Sequence, residues 1–454
     1  MKYLKNKNIF LFYITLLPIV FIGRFTFEMH LHNSKVSINY VFILLAMTIL
    51  ILLLKNGISF VLSFAQFLIT SFKFLFPIYI LILIDLLTIS THPITSNALV
   101  AFIKKLAVYF LFIFATYVWF NIPKKQTTVA LNKLTNTWNL IFCLDILISI
   151  LQLLDCYFFN CVNTMHIQKY FTSSALPPTH QMFGYYSPTR TNHIRILRPP
   201  GIFGDTNYNG MFLVLSLILF FIEYINIYNN KILTTLKNKK ASVLILKTIL
   251  AIFILLLTFS RSAILGIVIF LPYLIIQTIK NIKILIKPIL SSISTILLAI
   301  YVLFIIYPGS LVFIARRLNI KKDPSSLTHE KLFKESQKII KRYPPKLLGN
   351  GLDSYNTLYQ NTIRHTKRKT NPHSIWVQTY IEQGLLGVGG LIILGAHLII
   401  YTYKDRNSYS NFSIATMLNL AIPYFLIVGF VYYGFFMPFV WAWGLIPNDK
   451  FNKI

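Results

Sequence analysis

Three side chains with the chemistry to handle a phosphate-linked group stand out of an otherwise greasy chain. His373 lies in "NPHSIWVQTYIEQGLLGVGG", residues 371–390, at the mouth of an apolar run. Arg198 lies in "RILRPPGIFGDTNYNG", residues 195–210, and Arg261 in "LLLTFSRSAILGIVIF", residues 255–270. An imidazole kept neutral accepts a proton near pH 7. Guanidinium groups bind phosphate oxygens two at a time and stabilise negative charge where a bond breaks. A proton acceptor beside fixed arginines suits transfer of a group away from a phosphate.

Each residue has a plainer reading as well. Arg195 and Arg198 can be interfacial anchors that reach their heads to water, and Asp205 or Asn207 can simply cap the helix that follows. Arg261 sits between two apolar stretches; run together, residues 246–279 would make about 51 Å of helix against a roughly 30 Å core, so the chain must turn there. Asn371 is expected to cap the next helix, with Pro372 at its first position and His373 in its first turn. A helix N-terminus disfavours imidazolium and attracts anions, which favours the proton-acceptor role. Glu382 is nine residues on, half a turn round an ideal helix from His373, and is expected to neutralise a basic partner in the bundle instead. Asp85, Asp145 and Glu223 are further charges in apolar surroundings, open to structural or relay roles. In "PPKLLGNGLDSYNTLYQ", residues 344–360, the Gly349/Gly351 pair reads as a loop turn, and Gly384, Gly387, Gly389 and Gly390 as a small-residue packing face.

The elements that must position these groups are membrane helices. Of 454 residues, 56% are hydrophobic and only 12% charged, with a mean hydropathy of +0.64, and the apolar residues come in runs of spanning length. The pattern predicts an all-α polytopic membrane protein with about twelve transmembrane helices, near 9–24, 36–54, 74–90, 106–120, 137–154, 208–228, 246–260, 262–279, 289–307, 374–401, 412–430 and 432–447. Residues 58–72 read as an interfacial or re-entrant piece. Lys2, Lys5 and Lys7 precede the first run as in a signal peptide, but no cleavage site follows, and it reads as a retained helix.

Lysines in the short loops put both termini in the cytoplasm. Residues 155–206 and a large loop, 308–373, between the ninth and tenth helices then lie in the periplasm, within one integral membrane domain spanning 1–454. That large loop carries 14 Lys and Arg, Arg316 and Arg317 among them, against four acids. Of 11 arginines only Arg406 falls inside, whereas lysines divide between the two sides; lysine suffices to orient a helix, arginine is the better phosphate ligand. The net charge of +30 is therefore assigned to anionic lipids or phosphorylated glycans, with Arg316, Arg317, Asn207 and Asp205 as candidate substrate contacts, and not to nucleic acid. Cys156 and Cys161 sit in a polar loop whose spacing permits a disulfide without demanding one, and no metal-site spacing is present.

In order along the chain, "RPPGIFGDTNYNG", "LTFSRSAILG", "YPPKLLGNGLDSY" and "HSIWVQTYIEQGLLG" resemble the motifs of the O-antigen ligase and O-antigen polymerase superfamily of bacterial envelope glycan transferases. The resemblance covers roughly residues 195–390. It departs in two places: Ser374 stands where the family most often has Asn after the histidine, and Thr206 where proline usually precedes the conserved Asn. The resemblance implies a GT-C-like, metal-independent, inverting glycosyltransferase of the inner membrane that needs no cofactor. Its donor would be an undecaprenyl-diphosphate-linked glycan and its acceptor a lipid A–core. His373 would then act as general base on the acceptor hydroxyl, or orient it, with Arg198 and Arg261, flanked by Arg195, on the diphosphate. The polymerase alternative joins two lipid-linked repeat units. A transporter or flippase for anionic lipid-linked glycans would also have twelve spans, but predicts polar residues along a path across the whole membrane, whereas these candidates gather on one face.

Overall fold

The computed structural model describes residues 26–31, 34–122, 124–159, 182–186, 194–203, 206–229, 234–258, 324–363 and 374–405, with isolated positions between 260 and 301, at 372 and at 417. The expected helices at 9–24, 412–430 and 432–447, and nearly all of those at 262–279 and 289–307, lie outside these residues. Within them the protein is a bundle of long apolar helices. Six are long and apolar enough to cross a membrane, and a bent pair makes a seventh if it counts as one span. The chain is a polytopic helical membrane protein.

To the all-helical expectation the structure adds two short antiparallel hairpins. Strand β1, Thr26–Leu31, pairs with β2, Ser34–Asn39, in a register running from Thr26↔Asn39 to Leu31↔Ser34. The helix expected from residue 36 therefore starts later, as α1, Tyr40–Asn56, because "SKVSIN" alternates polar and β-branched residues at the period of a strand. Gly57, with φ +51°, turns the chain by 118° into α2, Ile58–Thr70, the piece expected to be re-entrant. Phe60, Phe64 and Phe67 of α2 pack their rings around Tyr117, whose hydroxyl also lies 3.1 Å from Ser63 Oγ.

Helices α3, Phe72–Thr91, α4, Ser96–Phe120, and α5, Lys124–Phe159, follow. Helix α4 starts ten residues before the apolar run that marked it, because Thr95 Oγ1 accepts the Ala98 N–H (3.1 Å) as an N-cap. Lys105 interrupts the apolar pattern but is paired inside the bundle. Helix α5 runs through Cys156, which is thus helical and not in a loop; Cys161 lies outside the described residues.

Strands β3, Met182–Tyr186, and β4, Ile194–Leu197, pair with an irregularity between Phe183 and Tyr186 and lead into a 3-10 turn, Gly201–Phe203. Then come α6, Thr206–Asn229, and α7, Thr234–Thr258. The latter begins twelve residues before the expected boundary, because the lysine-rich stretch 234–240 continues the helix beyond its apolar part. Helices α8, Pro324–Arg342, and α9, Ser354–Ile363, occupy the basic loop, and α10, Ile375–Asp405, closes the described fold.

One hydrophobic core joins α1–α7 to α10. A second, smaller one, Leu332, Ile339, Tyr355, Tyr359 and Ile381, fastens α8 and α9 to the start of α10. Buried Leu332, Glu335, Ser336 and Ile339 recur at helical spacing, while Lys331, Lys334, Lys338 and Lys341 face out. Glu335 accepts the Tyr359 hydroxyl (2.8 Å), and the Ser336 and Tyr355 hydroxyls meet at 2.9 Å. Burial pushes the Tyr355 phenol up to about 12, so this contact stays neutral at physiological pH.

The feature that seats this loop is a break in α10. Gly384 adopts φ +67° and ψ −153° inside the helix. Ladder bonds are lost there, and within a membrane freed backbone groups must find partners in the protein. The glycine turn supplies them: Asn350 N–H donates to Ile381 O (2.9 Å), Gly351 N–H to Glu382 O (3.0 Å), and Leu386 N–H to Leu347 O (3.1 Å). Asn350 Nδ2 adds bonds to Tyr343 O (3.3 Å) and Ile381 O (3.1 Å). Gly349 and Gly351 have φ of +70° and +100°; a β-carbon on Gly349 would strike the Glu382–Gln383 peptide, and one on Gly384 would strike Lys346 O. The pair first read as a loop turn is a backbone plug in a broken membrane helix. Of the four glycines read as a packing face, Gly390 fits that role, opposite Leu81 and Ile84 of α3, whereas Gly389 meets nothing within 4 Å.

Gly384→Ala and Gly349→Ala should each lower the unfolding temperature in detergent, with about 1–3 kcal/mol from backbone strain alone and more from the collisions. Gly389→Ala should be neutral or slightly stabilising. Equal melting of all three variants would remove the plug from the account.

Candidate functional site

The Arg198–Phe203 turn is held from two sides. On α5, Asp145, Ser149 and Gln152 recur at spacings of four and three, so one face of an apolar helix is polar. Gln152 makes a reciprocal amide pair with Gly201, Nε2 to its carbonyl at 3.1 Å and Oε1 from its N–H at 3.0 Å. Asp145 Oδ1 accepts the Ile202 N–H (3.0 Å). From α6, Asn209 Nδ2 donates to Pro199 O (3.0 Å) and Ser149 Oγ (3.4 Å). Gly201, at φ +58°, presses so closely on Asp145 and Asn209 that no side chain fits. Pro199 and Pro200 supply no N–H to satisfy, while Asp145 Oδ2 and Asn209 Oδ1 are among the described side-chain atoms buried without a hydrogen-bond partner.

Held this way, Arg198 is 3% exposed and its Nε donates to the carbonyl of Thr258, the last residue of α7. A surface anchor would keep its head in water; this one is inside the protein. The contact brings "RPPG" onto the end of the helix that precedes Ser260 and Arg261. Asn207, in the first turn of α6, accepts from Ser260 Oγ (3.2 Å), and Ser260 Oγ receives the Ala263 N–H (3.4 Å). Asn207 thus links the two motifs and is not the cap of α6. Gly210 allows the approach: a β-carbon there would lie 2.9 Å from the Cβ atoms of both Ser260 and Ala263.

The chain passes to and fro through α3–α7, which puts the end of α3, the starts of α4 and α6, the ends of α5 and α7, and the start of α10 at one end of the bundle. There Ser374 caps α10: its Oγ accepts the Val377 N–H (3.4 Å) and its carbonyl the Gln378 N–H (3.1 Å). The cap is three residues later than Asn371, so position 373 immediately precedes it instead of lying in the first turn. Serine in place of asparagine also loses its strangeness, since both rank among the best N-caps.

Beneath this cap lies a buried charge cluster. Asp85 of α3 is fully buried; Lys105 Nζ sits 3.0 Å from its Oδ1, Tyr109 OH donates to its Oδ2 (2.9 Å), and Gln383 Nε2 donates to Oδ1. Glu382, 4% exposed, accepts Gln378 Nε2 (2.9 Å) and the Asp353 backbone N–H, and lies within electrostatic reach of Lys105. Lys105 forms its ion pair with Asp85 and acts on Glu382 only at longer electrostatic range. Taking one member from such a buried pair costs about 3–5 kcal/mol, because the other charge stays buried.

His373, Arg261, Arg316, Arg317 and Asp205, and the side chain of Arg195, lie outside the described residues. Arg198 and Asn207 are brought together with Ser260. Reasoning from the sequence passed over Ser149, Gln152, Asn209, Thr258, Ser260 and Lys105. The polar stripe 145–149–152 on an apolar helix was the available signal for the first two.

A helical bundle with six spans of membrane length among the described residues, and an arginine buried where two turns meet at one end, defines an integral membrane protein. Residues 246–392 match the family model described as O-antigen ligase. No curated protein matches the chain. The matched segment contains the end of α7, α8, α9, the glycine turn and the first half of α10 with its cap; Arg198 reaches it from outside through Thr258.

Gln152→Leu should leave both polar groups of Gly201 without partners in the membrane, at about 1–3 kcal/mol for each, and should lower the unfolding temperature before it prevents membrane insertion. Ser374→Ala should cost about 1 kcal/mol of helix stability and Ser374→Asn little or nothing. Thermal melting in detergent checks both.

Proposed function

We propose that the protein is an O-antigen ligase that moves a glycan from an undecaprenyl-diphosphate carrier to a lipid A–core acceptor at the periplasmic face of the bacterial inner membrane. The observation that carries this reading is buried Arg198, which from outside the matched segment 246–392 is clamped onto the end of α7 within it, shortly ahead of Ser260 and Arg261 in the sequence.

In this reading Arg198 and Arg261, with Arg195 at the rim, hold the diphosphate and stabilise the charge that it gains on leaving. The acceptor hydroxyl attacks the anomeric carbon from the opposite side. His373, ahead of the capped first turn of α10, takes the hydroxyl proton. The new glycosidic bond forms as the bond to the diphosphate oxygen breaks, and the anomeric configuration inverts. Arginine charge serves where other transferases use a divalent cation. The basic 308–373 loop, with Arg316 and Arg317, and Asp205 and Asn207 beside the turn, would meet the acidic acceptor. Both termini lie in the cytoplasm in this orientation. The same site would serve a polymerase if the acceptor were another lipid-linked repeat.

His373→Ala should lower transfer by about 10²–10⁴-fold, the usual contribution of a general base, with the protein inserted normally; full activity would end the assignment. Arg198→Lys should lose about tenfold or more, equal to one charge-assisted hydrogen bond of about 1.5–3 kcal/mol. Lipopolysaccharide from a deletion strain separates the reactions. Bare core with accumulated lipid-linked polymer marks a ligase, core with a single repeat marks a polymerase, and full-length lipopolysaccharide excludes both.

A further inference from the structure

The break at Gly384 divides α10 into two rods, so the second half does not dictate where the first half points. The first half, Ile375–Gln383, carries the cap and, two residues before its start, position 373. Its direction must come from what it touches. The glycine turn holds two of its last three carbonyls, at Ile381 and Glu382. Its side chains make the remaining polar contacts on α3 and α4: Gln383 donates to Asp85, and Glu382 faces Lys105. Gln378, one turn after the cap, donates to Glu382 at 2.9 Å, which completes a line Ser374–Gln378–Glu382 at four-residue spacing down one face. Lys105 also bonds to Asp85 at 3.0 Å, so one ammonium pairs with a buried carboxylate of α3 within electrostatic reach of a second on α10.

A structural ion pair would need only one carboxylate. The second, together with two glutamines, extends the polar chain along the helix segment that leads to position 373. Lys104, next in sequence, is exposed and takes no part.

We propose that Asp85, Lys105 and Glu382 are positioning residues for glycan transfer: the Lys105 ammonium fixes the first half of α10, and with it His373, against the bound donor. The inference rests on the reading of His373 as the base. It assigns Lys105 no contact with donor or acceptor, so loss of the cluster should affect the chemical step and spare donor binding.

The test uses the full-length protein in proteoliposomes, with lipid-linked glycan extracted from the parent membranes as donor and lipopolysaccharide from the deletion strain as acceptor. Lys105→Met should lower kcat about tenfold or more, with the donor KM within about twofold. Lys105→Arg should recover at least half of the lost rate, and Lys104→Met should match the parent. Gln383→Leu removes a neutral contact only and should show the same kcat-only fall, smaller in size; it decides the matter if Lys105→Met does not fold. A folded Lys105→Met with unchanged kcat, a rise in KM without loss of kcat, or no recovery by arginine overturns the proposal, as does a normal Gln383→Leu. His373→Ala is measured alongside. If that variant is active, the base reading fails; if it is inactive while Lys105→Met and Gln383→Leu are normal, only the positioning inference fails.

Discussion

A helix cannot be interrupted inside a membrane unless something else bonds to the backbone it frees, and this constraint organises the end of the bundle where the site lies. The partners of the α10 break come from residues 347–351, a stretch that the sequence places outside the membrane helices. Because those partners are backbone groups, the turn must come within hydrogen-bonding distance of the helix along its length, and that distance admits no side chain at Gly349 or Gly384. The extramembrane helices α8 and α9 are thereby tied to the same element that carries the capped N-terminus. Their hydrophobic contact with Ile381 lies within one turn of the break.

The other half of the site uses the reverse arrangement. There the irregular backbone is the turn at Arg198, and regular helices supply the bonds through Asp145, Ser149, Gln152 and Asn209. A turn rich in proline and glycine has few donors of its own, so four side chains suffice to fix it. The arginine it carries is directed to a helix C-terminus, where unpaired carbonyls and the helix dipole favour a cation. Thr258 thus helps to orient Arg198 through a main-chain carbonyl.

Much of this was legible in residue types and spacing. Runs of apolar residues located α3, α6 and α10 to within a few positions, and Arg198 and Asn207 stood out as polar groups at a membrane boundary. Helix ends were less legible, because α4, α5 and α7 continue past their apolar stretches wherever a cap or a paired lysine allows. The cap at Ser374 was hidden by a better-looking Asn371 three residues earlier. The break at Gly384 was invisible among four glycines of similar context, since only the tertiary approach of the turn separates it from Gly390. Lys104 and Lys105 are identical in type and adjacent, and only the position of Asp85 on the neighbouring helix separates the paired one from the exposed one. The Arg198–Thr258 contact ends on a main-chain carbonyl, and no residue type announces that.

The pairing of Asn350, Gly351 and Leu386 with carbonyls also bears on how such a chain can change over time. Main-chain bonds are blind to the identity of the side chains beside them, so Lys346, Leu347 and the outward lysines of α8 can be exchanged without loosening the joint. The glycines, and Asn350 with its two side-chain bonds, are held fixed. The extramembrane segment is therefore a mount with a standard fitting: its outer surface can diverge from one bacterial envelope to the next, while the geometry beneath it stays the same.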